Sequence, residues 1–320
     1  MVISKMRAND NQMGMIFILI GMLIYSFHDL VVKIIAAETT IFQLFIARAF
    51  FGLIVTFSVL KFLNYKIRVI PIYPKLTLIR CVLMHFGFFI FFISLEKLSL
   101  STVTALFFAA PFFITILSAI ILSERIGIVR VMIIVLGFIG VFLIVKPFQE
   151  DEFSFFMLAP LFTAFCYAVA MVISKYTREN ENAFFQAFQQ YFVSLLLSIV
   201  TYLIISVLPL ENIDKEEWRF IFGSIQLDDY YTLISIAILS IFGTLGMTSL
   251  IHAYQVGSPI TNGPTEYVLL ILAIINGYFF FGNIPDYLSL SGIIIILVGG
   301  WGLFFREHQR KRIDSKVSPT

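Results

Sequence analysis

The chain has 320 residues, of which 59% are hydrophobic and 13% charged, with a mean hydropathy of +0.95 and 37 phenylalanines. Soluble globular domains run near a quarter charged, so this composition places the chain in a lipid bilayer and excludes a large aqueous domain, including a built-in nucleotide-hydrolysing motor. A formal net charge of +2 gives no polybasic case for nucleic acid, and Cys81 and Cys166 both lie inside apolar runs, which argues against a disulfide framework or a metal knuckle.

In chain order the apolar runs predict ten spanning helices, at residues 14–36, 41–60, 76–95, 101–122, 127–146, 153–174, 183–208, 230–253, 259–281 and 287–305. A bilayer core is crossed by about 20 helical residues, so the fold class is an all-α membrane protein. Residues 1–13 form a polar tail with Lys5 and Arg7, and residues 307–320 form a basic tail. The first run is too long for a signal-peptide core and no small-residue cleavage site follows it, so it is expected to stay as the first span. The longest polar gap, 210–229, is too short to fold alone. With the N-terminus inside, fifteen Lys and Arg residues fall on the inner side and four on the outer. The positive-inside rule then predicts that both termini are cytoplasmic.

The chain also resembles itself. Residues 25–33 (YSFHDLVVK) are similar to 167–175 (YAVAMVISK), and 41–48 (IFQLFIAR) to 184–191 (FFQAFQQY), at offsets of 142 and 143, with Gly140 and Gly299 further on. Matches in the same order point to two five-helix halves, 14–147 and 153–306. Five is odd, so the halves insert upside down relative to each other, an architecture of transporters with a site near the midplane.

Charges kept in hydrocarbon are functional candidates because they are costly to insert. Asp29 in the first helix and Arg48 in the second are expected at one depth near the outer side, where they form either a structural ion pair or a direct site for substrate or proton. The second half has Met171 and Tyr191 at the matching positions. Gln186, Gln189 and Gln190, spaced i, i+3, i+4, share a face that lines a cavity or a helix contact. Glu266 is the sharpest single residue. Pro259, Gly263 and Pro264 loosen the start of the ninth helix, and a carboxylate in such a segment can bind a solute or take a proton, with Tyr267 beside it as a stacking and hydrogen-bonding wall. His85 falls mid-helix, as a packing histidine or a ligand contact. Pro111 is expected to kink the centre of the fourth helix.

Residues 105–125 (ALFFAAPFFITILSAIILSER), a proline-centred helix ending in Glu-Arg and leading to 136–141 (LGFIGV), resemble the EamA-type branch of the drug/metabolite transporter superfamily. The second half carries the resemblance through 264–267 (PTEY), 281–286 (FGNIPD), Gly299 and Arg306-Glu307. One departure is Asn283, where the family commonly has Glu. The resemblance implies a secondary carrier in the bacterial inner membrane, moving metabolites by alternating access. The 29–33 stretch, PTEY and FGNIPD are also similar to a sub-branch that includes S-adenosylmethionine uptake carriers, which implies an amphiphilic or zwitterionic metabolite.

The residues expected to carry transport are Glu266 as the substrate-amine or proton site, Arg48 with Asp29 to meet a carboxylate, Gln189 and Gln190 as adaptable donors, Tyr267, and His85. No cofactor or metal is called for, since no H-E-x-x-H spacing is present. Expected partners are a small-molecule substrate, the bilayer, and a proton or exchanged solute, and the fifth and tenth helices either buttress the bundle or form a homodimer face. A membrane-embedded enzyme acting on lipid and a channel-like facilitator stay open as alternatives.

Overall fold

The computed structural model describes residues 8–35, 39–68, 70–94, 97–98, 103, 106–124, 126–146, 155–207, 223, 230–282 and 286–317, with the side chains of Asp29, Lys33 and the helix end from Arg306 onward outside the description. Among the described residues every regular element is helical. The helices are α1 (Ala8–Ile35), α2 (Ile41–Phe62), α3 (Pro74–Ser94), α4 (Ala110–Ile121) and α5 (Ile128–Val145), followed by a 3-10 turn (Phe155–Met157) that leads into α6 (Leu158–Tyr176). Next come α7 (Ala183–Val207), α8 (Tyr230–Val256), the four-residue α9 (Pro259–Asn262), a 3-10 stretch (Gly263–Tyr267), α10 (Val268–Phe281) and α11 (Tyr287–Val317). Seven helices are long and apolar enough to cross a membrane, and Ala110–Ile121, Ile128–Ile144 and Tyr287–Gly302 are shorter apolar helices.

Three boundaries depart from the apolar runs. Both α1 and α11 extend past them, α1 starting at Ala8 and α11 continuing to Val317. Hydropathy ends where lipid ends, but beyond Phe305 a charged stretch rich in Arg, Lys, Glu and Gln with no proline keeps the backbone of α11 helical. Pro111 stands at a break in the fourth apolar run, where Leu106 and Phe107 are helical, Phe108 and Ala109 form a turn and a new helix starts at Ala110. It occupies the first turn of α4, where its missing N–H costs nothing because no intrahelical acceptor is waiting for it.

The helices pack in antiparallel and crossed pairs: α1 on α8, α3 on α6, α2 on α7, α5 on α11, and α4 on both α6 and α9. Small residues set the closest approach, as in membrane bundles generally. A Cβ on Gly292 would lie 2.6 Å from the Gly140 carbonyl oxygen, so α5 and α11 touch backbone to backbone there, whereas Gly299 meets only Ile133 at 3.8 Å. The same two helices are pinned at their ends by Lys146, whose ammonium donates to Asp286.

Gly292→Leu forces α5 and α11 apart, and overpacking of this kind costs about 1–3 kcal/mol. The expected result is a lower thermal unfolding temperature of the detergent-purified protein, while Gly300→Leu, which enters open space, leaves it unchanged.

Candidate functional site

The site is built around the interruption between α8 and α10. Pro259 and Pro264 stand at the starts of α9 and of the 3-10 stretch, where each removes a backbone donor. The turn at Gly263 lets this segment approach the start of α4, since a Cβ there would lie 3.4 Å from Pro111 Cα. The 3-10 winding carries Glu266 into the bundle interior, where it is 3% exposed. Its Oε1 accepts a hydrogen bond from Tyr167 of α6 at 2.7 Å and another from Tyr254 of α8 at 2.6 Å. Phe107 flanks the site, its ring centroid 5.6 Å from that of Tyr167. A carboxylate this deep, met among the described residues by hydroxyls rather than by a fixed cation, can exchange those hydroxyls for a cationic ligand or take up a proton.

Tyr267 turns the other way. Its ring packs over Gly137 of α5 and lies 5.7 Å from Phe108, in a cluster with Val141, Leu270 and Ile296. Its buried hydroxyl has no hydrogen-bond partner among the described residues.

Arg48 faces the same helix that carries Tyr254. Its guanidinium stands where a Cβ on Gly243 would be 3.2 Å from Nη2, with His28 Cδ2 3.3 Å from the same point. One turn on, the Tyr25 ring covers Gly246, and Tyr25 and His28 meet edge to face at 5.5 Å. The two glycines leave room on α8 for these side chains. Gly243, Gly246, Leu250 and Tyr254 fall on one face of α8, so the arginine pole and the glutamate pole lie about 16 Å apart along it, at 1.5 Å per residue. Asp29 is helical within α1, but its side chain, and with it the Asp29–Arg48 pair, lies outside the described residues.

The glutamine face is occupied elsewhere. Arg80 of α3, 2% exposed, donates from Nη2 to Gln189 Oε1 at 2.8 Å and to the Gln186 carbonyl at 3.1 Å. Gln190 donates to the Cys81 carbonyl at 3.2 Å, and Gln186 reaches Thr177 Oγ1 at 2.8 Å. These amides tie α7 to α3 and α6. Beside them Glu181, in the link between α6 and α7, is buried, which pushes its carboxyl above the usual range while Gln189 and Arg80 draw it back. His85 shares a hydrogen bond with Ser194 at 2.9 Å inside a ring of Phe45, Phe86 and Phe89.

Tyr167, Tyr254, Arg80 and Glu181 were not singled out for chemistry from sequence. For Tyr167 the one signal was its place in the repeated Tyr-to-Lys string, and nothing in spacing marks Tyr254 as the partner of Glu266.

Each hydroxyl bond to the Glu266 carboxylate is charge-assisted, a class in which one bond contributes about 1.5–3 kcal/mol. Tyr167→Phe and Tyr254→Phe each lower thermal stability in detergent, and the double variant loses more than the sum, because the first substitution leaves one donor and the second leaves none.

The profile of the EamA-like transporter family matches residues 12–146 and again residues 154–305. The chain is 25% identical over 312 residues to an S-adenosylmethionine uptake transporter of Rickettsia bellii, covering 95% of this chain and 97% of that one. It is 25% identical over 305 residues to the S-adenosylmethionine uptake transporter of Rickettsia prowazekii, covering 95% of each. It is also 24% identical over 208 residues to the pseudopaline exporter CntI of Pseudomonas aeruginosa, covering 65% of this chain and 67% of that one. A solved crystal structure shares the fold at a TM-score of 0.73 and 15% identity, covering 91% of this chain and 96% of the other. With its profile matched twice across nearly the full length, the chain belongs to the EamA-like transporter family and is a multi-pass membrane protein that transports a small molecule.

Proposed function

We propose that this chain is a secondary active carrier that moves a small cationic or zwitterionic metabolite, such as an amino acid, an amine or an amphiphilic compound, across the bacterial inner membrane by alternating access. The observation that carries the proposal is the buried Glu266 carboxylate at the start of a broken helix, held by hydroxyls from α6 and α8. Ionisable groups inside membrane bundles mark ion and substrate pathways, and interrupted helices are where carriers hold their ligands. Glu266 takes the cationic centre of the substrate or the coupled proton. Arg48, on the same face of α8, takes a carboxylate at the far end. The names of the relatives support this class, since S-adenosylmethionine carries both a sulfonium cation and an amino-acid carboxylate. One relative is named for uptake and another for export, so the direction of flux depends on the gradients and the coupling.

The carrier is ten spans in two inverted five-helix repeats with both termini cytoplasmic. The helix pairing supports this. With α1 to α8 numbered as spans one to eight, α9–α10 as nine and α11 as ten, the one–eight and six–three pairs exchange when five is added, while two–seven, four–nine and five–ten map onto themselves. In this arrangement α5 and α11 buttress the chamber.

In proteoliposomes preloaded with unlabelled S-adenosylmethionine, the wild-type protein is expected to show saturable uptake and counterflow of the labelled compound, where a channel shows neither and an enzyme alters the compound. Glu266→Gln is expected to abolish uptake driven by an imposed proton gradient and to keep exchange, and equal loss of both rejects the proton-coupling role. Arg48→Gln raises the KM for carboxylate-bearing substrates by about 10- to 100-fold, the equivalent of one charge-assisted bond, and leaves decarboxylated analogues nearly unaffected.

A further inference from the structure

One level along the helices from Glu266, the ends of several elements converge on the joint between α8 and α9. Lys175, in the last turn of α6, is 4% exposed. Its ammonium donates to the carbonyls of Gln255, Val256 and Gly257 at 2.8, 2.9 and 2.7 Å. A lysine ammonium has three N–H donors, and each meets a carbonyl that the end of α8 leaves without an intrahelical partner. The charge also sits at the negative end of the α8 dipole. Arg178 adds a bond to the Gln255 carbonyl at 2.9 Å, and Gln255 Nε2 donates to the Glu181 carbonyl at 2.9 Å.

The other flank of the joint is closed in the same way. Ser258 donates its backbone N–H to Asn11 Oδ1 at 2.8 Å and its hydroxyl to Glu124 at 2.5 Å. Asn262 donates to the Ala253 carbonyl at 2.7 Å, and Gly14 of α1 closes to where its Cβ would be 3.0 Å from Gly257 Cα. This seal is made of ammonium, carbonyl, amide, hydroxyl and carboxylate groups. Water satisfies all of them, so opening exchanges protein hydrogen bonds for water hydrogen bonds with a small net change, whereas parting a packed apolar seam exposes it to water at full cost.

The seal and the Glu266 site act on the same two helices. Tyr254 and Gln255 are neighbours on α8, and Tyr167 and Lys175 lie about 12 Å apart along α6 at 1.5 Å per residue. A cation captured by Glu266 competes with both tyrosine hydroxyls and unties α6 from α8 at the upper level, leaving Lys175 as the lower tie. We propose that Lys175 is a positioning residue that holds this face of the carrier shut, as a reversible latch on the end of α8 that is released after the tyrosine bridge at Glu266 loosens. The proposal rests on the carrier assignment above, but its test does not use transport.

Cysteines replacing Met13 on α1 and Glu179 beyond the end of α6, both exposed, in full-length protein with Cys81→Ala and Cys166→Ala, carry spin labels that report the separation of the two sides in nanodiscs. With Lys175 present, one short-distance population is expected. Lys175→Met is expected to raise a longer-distance population severalfold, Lys175→Arg to restore the short one, and Arg178→Ala to fall between them. A Lys175→Met distance distribution that superposes on that of the parent overturns the latch. Where Lys175→Met does not give monodisperse protein, Lys175→Gln and Arg178→Ala are read by the same two outcomes. Absence of counterflow in the wild type strikes the carrier assignment instead, and the distance distribution still decides the latch.

Discussion

A carboxylate inside hydrocarbon has to be met by donors, and the surroundings of Glu266 meet that demand from two helices. Had the ninth apolar segment run as one regular helix, Glu266 would have ridden on its surface at a position set by the 3.6-residue period. Pro259 and Pro264 break that regularity and the 3-10 winding turns the carboxylate inward. Pro111, starting α4 opposite Gly263, lets the broken segment seat closely. Only then do the hydroxyls of Tyr167 and Tyr254 reach one carboxylate oxygen from two different helices. The tyrosines cannot hold Glu266 without also holding α6 to α8 through that carboxylate.

Three of the hydroxylated side chains on α8 are satisfied within the helix itself. Ser240, Thr244 and Thr248 each donate to the carbonyl four residues earlier, a local pairing that short hydroxylated side chains make readily in helices. They therefore need no partner across the bundle. Gly243 and Gly246, lacking side chains, take the guanidinium of Arg48 and the rings of His28 and Tyr25 directly against the backbone. A helix with polar content throughout thus presents a smooth track with an arginine at one end and a tyrosine-held glutamate at the other.

Much of this was legible from residues alone, and the limit is a physical one. Apolar run length located the apolar helices, seven of them long enough to cross a membrane, and the Pro-Gly-Pro spacing located the break because proline cannot donate. Glu266 stood out because it sits in that proline- and glycine-loosened segment, where a carboxylate can bind a solute or take a proton. The partners of these groups were not legible. Gln186, Gln189 and Gln190 share a face by spacing, but only the pairing of α3 with α7 reveals that the face meets Arg80 and the Cys81 carbonyl. Tyr267 was expected beside Glu266 because it is adjacent in sequence, yet adjacent residues in a tight winding point different ways, and its ring covers Gly137 instead. Sequence fixes which groups need partners; interhelical packing chooses them.

The two similar halves of the sequence divide the polar chemistry unequally, and the packing explains how that is tolerated. Arg48 stands where the aligned string in the second half has Tyr191. The Tyr191 ring packs where a Cβ on Gly52 would be only 2.8 Å away, so it fills the α2–α7 contact. Arg48 turns instead toward α8. Tyr25 and Tyr167, also aligned, diverge in the same manner: one covers a glycine of α8 and the other bonds Glu266. The polar side chains differ between the aligned strings, with a cation at one end of the track and an anion at the other. A symmetric pair of glutamates or of arginines would repel across the bundle. On the carrier reading proposed above, an asymmetric pair suits a ligand that itself carries opposite charges at its two ends.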